Sequence, residues 1–392
     1  MKKAKFLKAL SATLALAMAT MCFAGCGDKN YAKNNTEYYI GCTGPLTGGA
    51  AIYGIAVNNG AKMAIEEINA NGGLNGTKFK FEMKDDVHDA TKVAGQYSAL
   101  IEEGMQVSLG TVTTAPCLEF LNYAQEDNLF FITPSATGDD VTKNYKNAYQ
   151  MCFSDSSQGT YAAKYVKDNY ADAKIGIFYN SSDAYSTGIF NNFMKEFNQE
   201  QKDAMEIAEF TEDEPTDVSS QVEKLKECNF IFMPIYYGPA STFMKTANDI
   251  YSADVIYFGC DGFDGINSQK GFDLNTIKQQ ISMLSHFDSS STSGKSGDFV
   301  SKYIAKYGSD TLNQFGASAY DCIYAIYEAM KKAGDKISVT MSPSDMCDVL
   351  VEVFNDPTFV ITGATGEEAI KWNSDGTVNK KALEYIVKAK NA

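Results

Sequence analysis

From residue 38 onward the chain keeps one rhythm: a short apolar run rich in β-branched and aromatic residues, then a longer stretch with apolar positions every three or four residues. Runs of the first kind are YYIGCT, KFKFEM, VSLGTV and LFFITP. Helical spacing lies between them over 55–70, on Val93, Tyr97, Leu100 and Ile101, and over 116–126. Gly72-Gly73 closes the first helix. After Asp155 the rhythm restarts: helices over 158–169, 187–201, 218–227 and 240–251 alternate with the strands IGIFYN, MEIAEF, FIFMPIYY and VIYFG. Short buried strands separated by helices pack as parallel sheets with helices on both faces. The predicted fold class is therefore α/β, and two rounds of alternation in 392 residues predict two lobes around a cleft. Further helices are predicted over 298–307, 315–333 and 343–354, after a Ser/Thr/Gly-rich stretch at 288–297 that reads as a linker or surface loop. The last segment has strand–turn character, with Asp375-Gly376 marking a hairpin.

The N-terminus has a different character. Lys2, Lys3, Lys5 and Lys8 lead into an apolar run from Ala9 to Ala24, too short and too Ala/Thr-rich for a stable membrane span, so residues 1–25 read as a secretory signal peptide. Its end, Phe23-Ala24-Gly25-Cys26, resembles the bacterial lipobox, which implies cleavage before Cys26 and lipidation of its thiol. Residues 26–37 then form a lipidated, polar tether, and the chain is expected on the extracytoplasmic face of the membrane. No later run is apolar enough to cross a bilayer. Removing residues 1–25 takes four of the 34 basic residues and none of the 49 acidic ones, leaving a net charge of −19. Such a surface repels nucleic acid and anionic headgroups, and a dispersed monomer is expected. The seven cysteines after Cys26 show no C-x-x-C spacing and several lie in apolar runs. Free, buried thiols are favoured over a disulfide framework.

Catalytic signatures are missing. No G-x-G-x-x-G, G-x-x-x-x-G-K-[ST], G-x-S-x-G or H-E-x-x-H pattern occurs. His88, in KDDVHDA, reads as part of an exposed, charge-rich loop rather than a metal site, and His286 reads as structural. Neither an enzyme nor a cofactor or metal is expected. Hydroxyls at strand ends stand out instead. In such sheets ligands sit beyond the carboxyl ends of the strands. GTVTTAP places Thr113 and Thr114 after one strand, and ITPSATGDD places Ser135 and Thr137 after another. Their hydroxyls and free backbone N–H groups can hold a carboxylate without a formal positive charge. Asp261, after VIYFG, can accept from an ammonium. Caps and turns would use the same residues singly; together they describe a receptor for a zwitterion.

These residues lie in a longer match. The run GPLTGGAAIYGIAVNNGAKMAIEEINANGGLNGTKFKFEMKDD, followed in order by GTVTTAP, ITPSAT, SDSSQGTYAAKYV, YGPA, GCDGF and AYDCIYAIYEAMKKAG, resembles the branched-chain amino acid substrate-binding lipoproteins of ABC importers, the periplasmic binding protein type I family. The resemblance implies two Rossmann-like lobes joined by three hinge strands, crossing near Asp155, His286 and Val360. Residues 38–154 plus 287–358 would form lobe 1, and 155–286 plus 359–392 lobe 2. It further implies that Thr114 and Thr137 bind the carboxylate and ammonium ends of the ligand, within a set that includes Thr113 and Ala136, and that Ser135 offers mainly backbone groups. Tyr53 would roof the pocket, Val112 and Phe315 would touch the ligand side chain, and Tyr185, Tyr237 and Asp261 would approach from lobe 2. A disulfide that some relatives carry between the loops around His88 and Thr113 is absent, and Ala240 stands where an acidic residue is common. The implied function is capture of an amino acid with an aliphatic side chain and delivery to a membrane permease. The alternatives are a sensory module, or a binder of an aromatic amino acid, amide, urea or aromatic acid.

Overall fold

The computed structural model describes residues 30–390, so the signal peptide and Cys26 lie outside the described residues. Strands β1 (Tyr38–Gly44), β2 (Phe79–Asp85), β3 (Val107–Ser108), β4 (Phe131–Thr133) and β5 (Ala148–Gln150) form an all-parallel sheet in the order β2-β1-β3-β4-β5. A second sheet has the order β13-β10-β9-β8-β6-β7. It comprises β6 (Ile175–Asn180), β7 (Glu206–Phe210), β8 (Phe230–Met233), β9 (Ile256–Gly259), β10 (Gln280–Ser285) and β13 (Leu383–Lys388), the last running antiparallel to β10. Between them in sequence, β11 (Ile361–Gly363) and β12 (Gly366–Ile370) make a small antiparallel pair. The central strands β4, β8 and β9 are buried at every position, as parallel strands covered on both faces must be. The two sheets are the cores of two lobes.

The main helices are α1 (Ala51–Ala70), α2 (Ala90–Glu102), α3 (Thr114–Glu126), α4 (Asp155–Asn169), α5 (Ala184–Lys195), α6 (Tyr237–Ala247), α7 (Gly294–Tyr307), α8 (Gln314–Ala333) and α9 (Pro343–Phe354). Five start on side-chain caps, and three of these bear on the site: Ser154 for α4, Asp183 for α5 and Asn313 for α8 accept backbone N–H groups of the first turn. These caps set where Tyr185 and Phe315 project. α8 packs on α1 through bare backbone, since a Cβ on Gly60 would lie 2.0 Å from the Gly316 carbonyl oxygen.

The structure departs from the sequence expectations at several joints. The strand expected over VSLGTV is only Val107–Ser108, because Gly110 turns the backbone into the left-handed region at φ +76°. FIFMPIYY ends as a strand at Met233: Pro234 cannot donate to the ladder, and α6 begins at Tyr237 rather than residue 240. The helix expected over 187–201 divides at Asn198, which caps a short helix over Gln199–Asp203. The expected tether is docked over residues 31–35: Ala32 is buried, and Asn35 Nδ2 donates to the Gly104 carbonyl at 2.9 Å. The seven described cysteines are buried and free. Burial pushes their thiols up, to about 12 for Cys117 and about 11 for Cys228.

Candidate ligand-binding site

At the carboxyl ends of β3 and β4 two loops are braced against each other. The Thr133 hydroxyl donates to the Thr111 carbonyl at 2.8 Å, and the Ser135 hydroxyl to the Val112 carbonyl at 2.7 Å. The hydroxyl protons of both side chains are thereby committed. Gly110 is required where it sits, because a Cβ there would lie 2.9–3.0 Å from Phe131, Ile132 and Thr133. Thr114 opens α3, later than the strand end but ahead of Pro116, so N–H groups of its first turn are free of intrahelical partners beside the cavity that Thr113 and Thr114 line.

The second lobe brings a charge. Asp261 lies one residue beyond the end of β9, after Cys260, is 2% exposed, and accepts from the Tyr185 hydroxyl at 2.8 Å. The same hydroxyl accepts from the Gly262 N–H at 2.9 Å, and the Asp261 N–H donates to Gln158 Oε1 at 3.0 Å. Burial pushes the Asp261 carboxyl up to about 7, against the hydrogen bond from Tyr185 that favours the anion.

Aromatic rings close the space between. Tyr53 donates to the Gly262 carbonyl and accepts from the Tyr237 N–H at 3.3 Å, joining α1 to the turn after β9 and to the start of α6. Its ring meets Phe315 edge-on at 4.9 Å, and Tyr185 stacks on Tyr236 at 4.8 Å. The resulting cavity is lined by Tyr53, Val112, Thr113, Thr114, Ser135, Tyr185, Tyr236, Asp261, Gly262 and Phe315. Its open volume is about 10 Å³, near that of one water, so the walls stand close together.

Eight of the eleven residues read from the sequence thus share one cavity. Three do not line it. Ala136 is buried behind the loop, its carbonyl accepting from Gln150 Nε2 at 2.8 Å. Tyr237 lies behind Tyr53, with its hydroxyl 3.5 Å from the Ile52 N–H. Thr137 is 1% exposed and turns toward Asp155. Tyr236 and Gly262 were missed. With the strand drawn through Tyr237, alternation gave Tyr236 no reason to face the cleft; the break at Pro234 and the helix start that follows it do.

His88 also differs from expectation. Its loop is not simply exposed: the ring is half-buried, Nδ1 lies 2.8 Å from the Thr113 hydroxyl, and the ring meets Tyr236 edge-on at 5.2 Å. A hydrogen bond therefore links the two loops that a disulfide joins in some relatives. Val87 and His88 both adopt positive φ, +50° and +65°, held by Asp85 and Asp86 carboxylates accepting their N–H groups at 3.0 Å. Beyond this partition lies a larger chamber of about 320 Å³, lined by Asp183, Asp213 and Glu214 among others. His286 bonds Ser318 at 2.8 Å and packs on Phe153. Among the described residues no cluster of His, Cys, Asp or Glu is arranged to hold a metal.

Comparison with known proteins agrees with this architecture. The model of the periplasmic binding protein family matches residues 37–342. The chain is 26% identical over 335 residues to the Leu/Ile/Val-binding protein BraC3 of Rhizobium johnstonii, covering 84% of this chain and 85% of that one. It is 24% identical over 344 residues to the leucine-, isoleucine-, valine-, threonine- and alanine-binding protein of Pseudomonas aeruginosa, covering 87% and 88%. The structure superposes on the branched-chain amino acid transporter substrate-binding protein LivJ of Streptococcus pneumoniae in complex with isoleucine, with a TM-score of 0.75 and 25% identity over 91% of this chain and 97% of that one. A family model that spans most of the chain, on the two-lobed α/β fold its members share, places the protein: it belongs to the periplasmic binding protein family.

Proposed function

We propose that this chain is a lipid-anchored, extracytoplasmic solute receptor that captures an α-amino acid with an aliphatic side chain and presents it to the permease of an ABC importer. In this reading residues 38–154 and 287–358 form one lobe, 155–286 and 359–392 the other, and Cys26 carries the lipid. The observation that carries the proposal is the placement of Asp261, a buried carboxyl without a positive partner among the cavity's lining, across from the donors of Thr113, Thr114 and Ser135. An α-amino acid supplies both missing charges: its ammonium to Asp261, its carboxylate to the loop N–H groups and hydroxyls. Tyr53, Val112 and Phe315 offer apolar contact to the side chain, and the names of the relatives point the same way. Ligand contacts to both walls stabilise the closed form by their differential affinity, and no bond is made or broken.

The test is a melting-temperature screen of the soluble domain over the amino acids, benzoate-type acids, amides and urea, because a ligand that binds only the native state raises the melting temperature. Leucine, isoleucine or valine should give the largest rise. A rise with aromatic acids or amides and none with amino acids would overturn the assignment.

A further inference from the structure

Beside the ammonium end of the cleft lie three buried polar atoms without partners: Asp155 Oδ1, Thr137 Oγ1 and Gln158 Nε2. Their residues are 1%, 1% and 0% exposed. Such orphans are uncommon in a folded protein and costly. They occur together where the first-lobe loop after β4 meets the first turn of α4. The Asp155 N–H donates to the Thr137 carbonyl at 2.8 Å, and the Thr137 hydroxyl lies against the Asp155 carboxyl without a well-formed bond. Gln158, one turn along α4, accepts from the Asp261 N–H, which connects the cluster to the anion of the site. On the far side α5 closes the space, since a Cβ on Gly188 would lie 2.5 Å from Asp155 Oδ2.

We propose that Asp155 is a positioning residue of the ammonium site: it orients the Thr137 hydroxyl toward the ligand and releases its own proton as the ammonium enters. The proposal rests on the amino acid reading. An ammonium has three N–H donors. One reaches Asp261. A second reaches Thr137 Oγ1, whose own proton turns to Asp155 Oδ1. The charges facing Asp155 are Asp139, Asp183 and Asp261, all acidic, with Asp264 beside Asp261. The neutral titratable neighbours are Tyr185, Tyr236, Cys152 and Cys260. The basic side chains nearby face other residues, His88 toward Asp183 and Lys380 toward Asp321. Two adjacent buried carboxyls do not both ionise without a cation. Before ligand arrives, burial and the Asp261 charge therefore keep the Asp155 proton in place. The bound ammonium supplies the compensating charge, the Asp155 O–H bond breaks, and the proton leaves to solvent; no other bond changes.

The measurement is made at pH 8, above the value of about 7 to which burial pushes Asp261, and comparison with Asp155→Asn identifies the group that releases the proton. The experiment is calorimetry at pH 8 in phosphate and in Tris, whose ionisation enthalpies differ, with the amino acid that most raises the melting temperature. The wild type should release a substantial fraction of one proton. Asp155→Asn should release almost none and bind about tenfold or more weakly. Thr137→Val should lose the release and Thr137→Ser restore it, and this pair decides the matter if Asp155→Asn does not fold. Equal release by Asp155→Asn and wild type, or none by wild type, overturns the proposal while the receptor stands. If no amino acid binds the wild type, the receptor reading falls and takes this one with it.

Discussion

On the wall of the cleft built from the first sheet, hydroxyls at the carboxyl end of β4 donate to carbonyls of the loop after β3; on the wall built from the second, the buried Asp261 carboxyl is held by a tyrosine hydroxyl and its own N–H by a glutamine. The first wall is braced by its own hydrogen bonds, and in the proposed reading its recognition lies in backbone N–H groups. The second carries the unbalanced charge. Shape and register should therefore depend on the first lobe, and the free energy of binding mainly on the second.

The comparison can be broken most directly at Asp261. Asp261→Ala should cost about 2–5 kcal/mol of amino acid affinity, the scale of truncating a buried charge pair, as read by calorimetry. An unchanged dissociation constant would mean that the second wall does not carry the charge.

A pH series sharpens the same point, because stability and affinity should move in opposite directions. Burial raises the folded-state titration of Asp261 to about 7 from an ordinary 3.8. The protonated form is thus favoured by folding, and the stabilisation is full below about pH 4 and lost as pH rises to about 7. Relative to Asp261→Asn, the ligand-free wild type should lose a few kcal/mol across that window in denaturant melts. Amino acid affinity requires the anion and should fall up to tenfold per unit as pH drops below about 7. Parallel trends would contradict the assignment.

Tyr53 joins the walls. Tyr53→Phe leaves the Gly262 carbonyl and the Tyr237 N–H without their partner and should weaken binding by about 1–3 kcal/mol. The smallest effect is expected at His88. His88→Ala removes one hydrogen bond to Thr113 and one ring contact, so affinity should fall by about 1 kcal/mol. A much larger loss would show the first wall to be less self-sufficient than its internal bonding implies.

Period and punctuation made most of this architecture readable in advance. Strands such as IGIFYN and VIYFG are continuous apolar runs because both faces are covered, and the position just after each one is where a ligand is met. Asp261 and Thr113 were legible for that reason. Tyr236 was not, because its orientation depends on a break at Pro234 that hydrophobic pattern alone overrides. Asp155 was not either. A carboxylate in a helix's first turn is an ordinary sight at a helix start, and only the missing partners of its neighbours distinguish this one.

The seven described thiols have a practical meaning for an exported chain. Sealed from solvent and held in the protonated form, they are poor targets for alkylating agents and for air oxidation while the lobes are intact. Reaction with iodoacetamide then becomes a clock: Cys260 beside the cleft reports local opening, Cys117 on the buried face of α3 reports loss of the whole first lobe, and a bound ligand should slow the first more than the second.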